Sequence, residues 1–193
     1  MKKIAVFASG SGTNFQAIAD AARKGDLHAE IVLFVCDRPD AYSIQRAQNE
    51  QVPQFVFSAK DYAGKAEYER EILQRMMESG AEYIILAGYM RLIGPTLLKE
   101  FEGRIINIHP SLLPAFPGKD AIGQALSAKV KVSGVTVHYV DEGMDTGPII
   151  AQAPVSIAAD ETLESLQKKI HEVEHKLYPQ VLQSLFCAKM VES

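Results

Sequence analysis

A chain of 193 residues, 47% of them hydrophobic and 23% charged, is most simply one globular domain with a substantial buried core. Its formal net charge of −4 argues against a general binder of nucleic acid or of an anionic membrane. The two cysteines, Cys36 and Cys187, are too few for a disulfide framework and share no local metal spacing. They read as free thiols of a reducing cytoplasm.

Met1-Lys2-Lys3-Ile4-Ala5-Val6 runs straight into a strand, with no long apolar segment and no small-residue cleavage site. That predicts a cytoplasmic protein without signal peptide or membrane span. Ile4–Ala8 is the first apolar run. It ends at Ser9-Gly10-Ser11-Gly12-Thr13-Asn14, and Phe15, Ile18, Ala19 and Ala22 follow at helical spacing until Gly25. Ile31–Cys36 predicts a second strand, Ala41–Glu50 a helix, Gln54–Phe57 a third strand and Glu67–Ser79 a helix. Tyr83–Ala87 predicts a buried strand, and Pro95 opens a helix ending near Phe101. Arg104–Ile108 is the fifth strand. This alternation predicts an α/β fold: a Rossmann-like, mostly parallel twisted sheet with helices on both faces.

After residue 110 the pattern changes. Gly123–Ala128 reads as helical. Gly134–Val140 alternates like a half-buried strand, and Ile149–Val155 is another. Between these two lies the turn-rich Asp141–Pro148. A long C-terminal helix closes the chain, with Leu163, Leu166, Ile170, Val173, Leu177, Val181 and Leu185 on one face and a kink expected at Pro179.

Three constellations carry chemistry. The Gly10–Asn14 turn lies between a strand and a helix, where backbone N–H groups attract phosphate or carboxylate. It lacks the third glycine of a dinucleotide fingerprint, since Phe15 stands there, and no Walker lysine follows. A tight βα turn with Thr13 or Asn14 as helix cap explains it equally well. The second is Asn107, His109 and Asp145. Residues two apart on a strand share a face, so Asn107 and His109 stand side by side before Pro110 and Pro114 turn the chain away. An amide donor, an imidazole and a carboxylate suit acyl transfer. A structural histidine is one alternative. A metal triad of His109, His138 and Asp145 is another, although His138 alternates as a sheet-face residue would. Ser111 has no nucleophile elbow around it. The third is His171 and Glu174, which share a helix face and read most simply as a solvated helix edge.

The chain resembles the phosphoribosylglycinamide formyltransferases, a family of folate-dependent enzymes of purine synthesis. The match runs over nearly the whole length: Gly10-Ser11-Gly12-Thr13-Asn14, Ala87-Gly88-Tyr89-Met90-Arg91-Leu92, Asn107–Pro114, His138–Pro148 and Glu174–Pro179. The resemblance implies one formyltransferase domain over 1–193, with a phosphate- and nucleotide-binding half at 1–100 and a folate-binding, catalytic half at 101–193. Gly12, Thr13, Asn14, Pro110, His171 and Glu174 would hold the acceptor, glycinamide ribonucleotide. Lys65, Met90, Arg91, Leu92, Ile93, Asn107, Val140, Asp141, Glu142, Gly143 and Met144 would hold the co-substrate 10-formyltetrahydrofolate. Asn107, His109 and Asp145 would be catalytic, with no metal. At Lys65 the family often has arginine, whose bidentate pairing lysine cannot reproduce. Lys119-Asp120-Ala121 has no clear counterpart in the family pattern.

The implied partners are the two small-molecule substrates, with no nucleic acid or membrane, in a monomer or homodimer. Three alternatives stand beside this reading. A formyltetrahydrofolate deformylase would use the same triad on water, but that group normally carries an extra N-terminal domain. A methionyl-tRNA formyltransferase would carry a further C-terminal domain and a basic surface. A non-catalytic nucleotide-binding module would need the glycine turn and not the triad.

Overall fold

The computed structural model describes residues 1–188. Seven strands form one sheet: β1 (Lys2–Ala8), β2 (Ala29–Cys36), β3 (Gln54–Val56), β4 (Tyr83–Leu86), β5 (Ile105–His109), β6 (Val132–Tyr139) and β7 (Ile149–Ser156). Their order across the sheet is β3-β2-β1-β4-β5-β6-β7. The first five are parallel, and β6 and β7 add antiparallel at one edge. The helices are α1 (Thr13–Lys24), α2 (Ser43–Asn49), α3 (Lys65–Ser79), α4 (Pro95–Glu100), α5 (Ala121–Ser127) and α6 (Leu163–Ala188).

β1 shows why the sheet carries helices on both faces. Its residues 4–8 are all fully buried, and they alternate between two cores. Ile4, Val6 and Ala8 join Phe15 and Ile18 of α1 and Leu166, Ile170 and Tyr178 of α6. Ala5 and Phe7 join Tyr68, Ile72 and Met76 of α3 and Leu97 of α4. A strand buried on both faces reads as a continuous apolar run, as this one does. Burying one such large side chain is worth roughly 1.5–3 kcal/mol.

The chain builds outward from β1 to β3, then crosses back to place β4 on the other side of β1. The strand order therefore reverses between β1 and β4. A crevice opens at such a point, beyond the carboxyl ends of the strands. Tyr178 of α6 fastens the floor behind it. Its buried hydroxyl lies 2.9 Å from Leu86 O and 3.0 Å from Ile106 O and donates to this carbonyl pair.

Three local expectations are corrected. Neither Thr13 nor Asn14 caps α1. The cap is Gly12 at φ 75°, without a side-chain bond to the helix. α3 starts two residues early at Lys65, and α5 starts at Ala121 because the Asp120 carboxylate accepts the Gly123 N–H. As a proline expected to kink the helix and not to end it allows, α6 runs on through Pro179 to Ala188.

Candidate active site

The cleft at the switch point encloses about 620 Å³. It is lined by Gly12, Thr13 and Asn14 after β1, by Met90, Arg91, Leu92 and Ile93 after β4, and by Asn107, His109 and Pro110 of and after β5. Val140, Asp141, Gly143, Met144 and Asp145 close it from the loop between β6 and β7, and His171 and Glu174 reach it from α6. Lys65 and Glu142 are not among the lining residues. The Lys65 ammonium instead donates to Leu92 O at 2.9 Å. A wider groove of about 830 Å³ lies between α1 and α6, lined by side chains such as Gln16, Asp20, Lys176 and Gln183, and contains none of the triad.

Asp145 stands between two imidazoles. Its Oδ2 is 3.4 Å from His109 Nδ1, and its Oδ1 is 3.7 Å from His138 Nε2. Gly118 N–H donates to Oδ2 at 2.8 Å. The residue is held at φ 55°, in a loop that Asp141 braces by accepting from Thr146 Oγ1 and Gly143 N. Those bonds, the Thr146 hydroxyl first, hold the Asp141 carboxyl below its ordinary range. His109 Nε2 lies 2.9 Å from Phe116 O. Both ring nitrogens of His109 thus face oxygen acceptors, and a doubly protonated ring satisfies both.

His138 is the residue that sequence reasoning placed on the sheet face. It pairs with Asn107 across the antiparallel β5–β6 ladder. Cross-strand partners share a face, so the register brings His138 to the cleft. Its Nδ1 lies 2.8 Å from its neighbour's carbonyl, Tyr139 O, which assigns the proton to Nδ1. Nε2 then accepts from Asn107 Nδ2 at 3.2 Å. This bond fixes which way the Asn107 amide points and leaves its second N–H for another acceptor. His138 lies within β6, and its pairing with Asn107 is set by the antiparallel register.

The glycine turn is shaped by packing against α2. Ser43 N donates to Gly10 O at 3.0 Å and Arg46 Nε to Ser11 O at 2.8 Å. A Cβ on Gly12 would fall 2.6 Å from Ser43 Cβ. The first helical bond of α1 is Gln16 N to Gly12 O, so the N–H groups before it make no bond within the helix, and the turn that carries them lines the cleft. Asn14 Nδ2 donates to Glu174 Oε2 at 3.1 Å, while the buried Asn14 Oδ1 has no hydrogen-bond partner.

Glu174 is not on a solvated helix edge. It lies on the buried stripe of α6, one turn from Ile170 and one turn from Tyr178, and is 5% exposed. Burial pushes its carboxyl up to about 7, against the opposing pull of the Asn14 bond. The folded value lies above the unfolded one, so the folded chain keeps a proton that the unfolded chain loses. Stability therefore falls as pH rises from about 4.5 to about 7 and stays reduced above that. Glu174→Gln keeps an acceptor for Asn14 and removes this penalty. We expect it to be more stable than wild type near pH 8 by on the order of 2–3 kcal/mol, and about equal near pH 4.5, in urea melts. Equal stability at both pH values would contradict the assignment.

Residues 2–182 match the family model described as formyl transferase. The chain belongs to the formyl transferase family. It is 55% identical over 185 residues to the phosphoribosylglycinamide formyltransferase of Bacillus subtilis, covering 96% of this chain and 95% of that one. A solved glycinamide ribonucleotide transformylase 1 from Geobacillus kaustophilus is 65% identical with a TM-score of 0.94, covering 96% of this chain and 98% of that one. The chain also matches 14% of the length of the trifunctional purine biosynthetic protein adenosine-3 of Drosophila melanogaster, at 43% identity. In this formyl transferase, no described helix is long and apolar enough to cross a membrane.

Proposed function

We propose that this single-domain formyl transferase moves the formyl group of 10-formyltetrahydrofolate to the amine of glycinamide ribonucleotide, a step of purine biosynthesis. The observation that carries the proposal is the convergence of Asn107, His109 and Asp145 on one side of the Gly12–Asn14 turn and Glu174 in a single cleft. A hydrolase acting on water would need the triad alone. The turn and Glu174 add a place for an anion and an amine.

The acceptor amine is itself the nucleophile. An α-amino-like group has a pKa of about 8, so a useful fraction is neutral near pH 7. It attacks the formyl carbon, and the carbonyl oxygen becomes an oxyanion. The free Asn107 N–H and protonated His109 would stabilise that oxyanion, and Asp145, facing Nδ1, would orient the ring. Collapse expels the folate nitrogen, and the proton lost by the amine goes to it, relayed by His109. No covalent enzyme intermediate is required. In this arrangement the His109 Nε2 proton is spent on Phe116 O. Donation to the substrate therefore requires the ring or the 115–118 segment to shift. The acceptor phosphate would sit on the N–H groups of the Gly12–Asn14 turn, with its polar groups near Asn14 Oδ1 and Glu174. The folate would lie between Met90–Ile93 and Val140–Met144.

Folate release, followed by absorbance with and without glycinamide ribonucleotide, tests the proposal. Release that needs the acceptor supports it, and equal release without acceptor means a deformylase. We also expect turnover to survive extensive dialysis against a chelator. His138 Nε2 already accepts from Asn107, and both His109 nitrogens face protein oxygens, so a metal would have to displace these bonds. Loss of activity restored by one stoichiometric metal would revive the metal triad.

A further inference from the structure

Asp37 follows β2, outside the residues that line the cleft. Its side chain is 3% exposed. A buried carboxylate persists only where it is paired. This one is paired twice: Ser9 Oγ donates to Oδ1, and Arg91 Nε donates to Oδ2 at 2.7 Å. Ser9 Oγ in turn accepts the Met90 N–H at 2.9 Å, and Ser9 N donates to Gly88 O at 3.1 Å. One carboxylate thus ties the ends of β1 and β2 to the segment that follows β4.

That segment, residues 88–94, has neither helix nor strand of its own. Its far end is also held from outside: Glu69 Oε1 accepts the Gly94 N–H at 2.6 Å and Lys65 Nζ reaches Leu92 O. Irregular backbone presents N–H and C=O groups to a ligand at useful angles only when a supporting shell locks it. The Arg91 guanidinium is directed to Asp37, so the segment offers the cleft mainly its backbone and the side chains of its neighbours.

We infer that Asp37 is a positioning residue for the formyl donor. By holding Ser9 and Arg91 it sets the 88–93 wall against which the folate heterocycle is recognised. This rests on the folate reading of that wall. The acceptor's turn, which begins next to Ser9, has further holds of its own in Ser43 and Arg46 of α2. Losing Asp37 should therefore weaken one substrate and spare the other.

The test is Asp37→Asn in the full chain, which keeps the shape and removes the charge. The expected result is a rise of about tenfold in the Kd of a non-reactive folate analogue and in the donor KM, equivalent to about 1.4 kcal/mol. The acceptor KM and kcat should stay within about twofold, a split that a general loss of structure would not produce. Unchanged folate affinity, or equal weakening of both substrates, overturns the inference. Should Asp37→Asn melt below the assay temperature, the same measurement on Ser9→Ala decides, with the same expected direction. Wild type that fails to bind the analogue would sink the folate reading itself. Wild type and Asp37→Asn binding it equally would sink only the positioning role.

Discussion

His109→Ala should lower kcat by on the order of a hundred- to a thousand-fold while both substrates still bind. The ring can carry a proton beside Asn107, and Asp145 faces its Nδ1. Asn107→Ala should cost on the order of 3 kcal/mol in barrier, the usual loss for one oxyanion donor. It also strips His138 Nε2 of its donor. Asp145→Ala removes the acceptor of both His109 and Gly118, so it should lower kcat and loosen the 141–146 loop. The measurement is steady-state kinetics beside thermal melts. Turnover within a few-fold of wild type for any two of the three would break the mechanism.

Gly12→Ala should cost folding heavily. The residue sits at φ 75°, where a side chain costs roughly 1–2 kcal/mol by itself. The new Cβ would also lie 2.6 Å from Ser43 Cβ and 2.8 Å from Ser43 Cα. Ser43 is fully buried at the start of α2, and its N–H is bonded to Gly10 O, so it cannot retreat cheaply. A total loss of about 2–4 kcal/mol is expected, with a steep rise in the acceptor KM. Gly12→Val should be worse. A wild-type melting temperature for Gly12→Ala would contradict this packing. Asn14→Ala separates binding from folding: it should raise the acceptor KM and leave folate-analogue affinity unchanged. Lost folate affinity with normal acceptor affinity would reverse the two ends of the cleft.

The parallel half of the fold is legible in the sequence because each of its strands is a short apolar run bounded by glycine or polar turns. Boundaries slip where a cap decides them, as at Asp120, whose side chain starts α5 two residues before the periodic pattern does. That Asn107 stands beside His109 is legible from strand alternation, whereas Asp145 meets them from the loop between β6 and β7, which alternation does not place. His138 is missed because its partner is set by antiparallel register, which alternation alone does not contain. The burial of Glu174 does not follow from the helix pattern, because a stripe of apolar residues alone passes it by. The buried line 166-170-174-178 has an acid at its third position, and its value lies in the cleft that α6 closes. The pairing of Asp37 with Ser9 and Arg91 joins residues far apart in the chain and follows only from the strand order.

The fate of the formyl carbon tests the central claim most directly. The enzyme would be given 10-formyltetrahydrofolate labelled with carbon-13 in the formyl group, together with glycinamide ribonucleotide, and the products resolved by mass spectrometry. Direct amine attack predicts the label on the acceptor amine, in step with the folate released. Label recovered as free formate, at a rate independent of the acceptor, would contradict it.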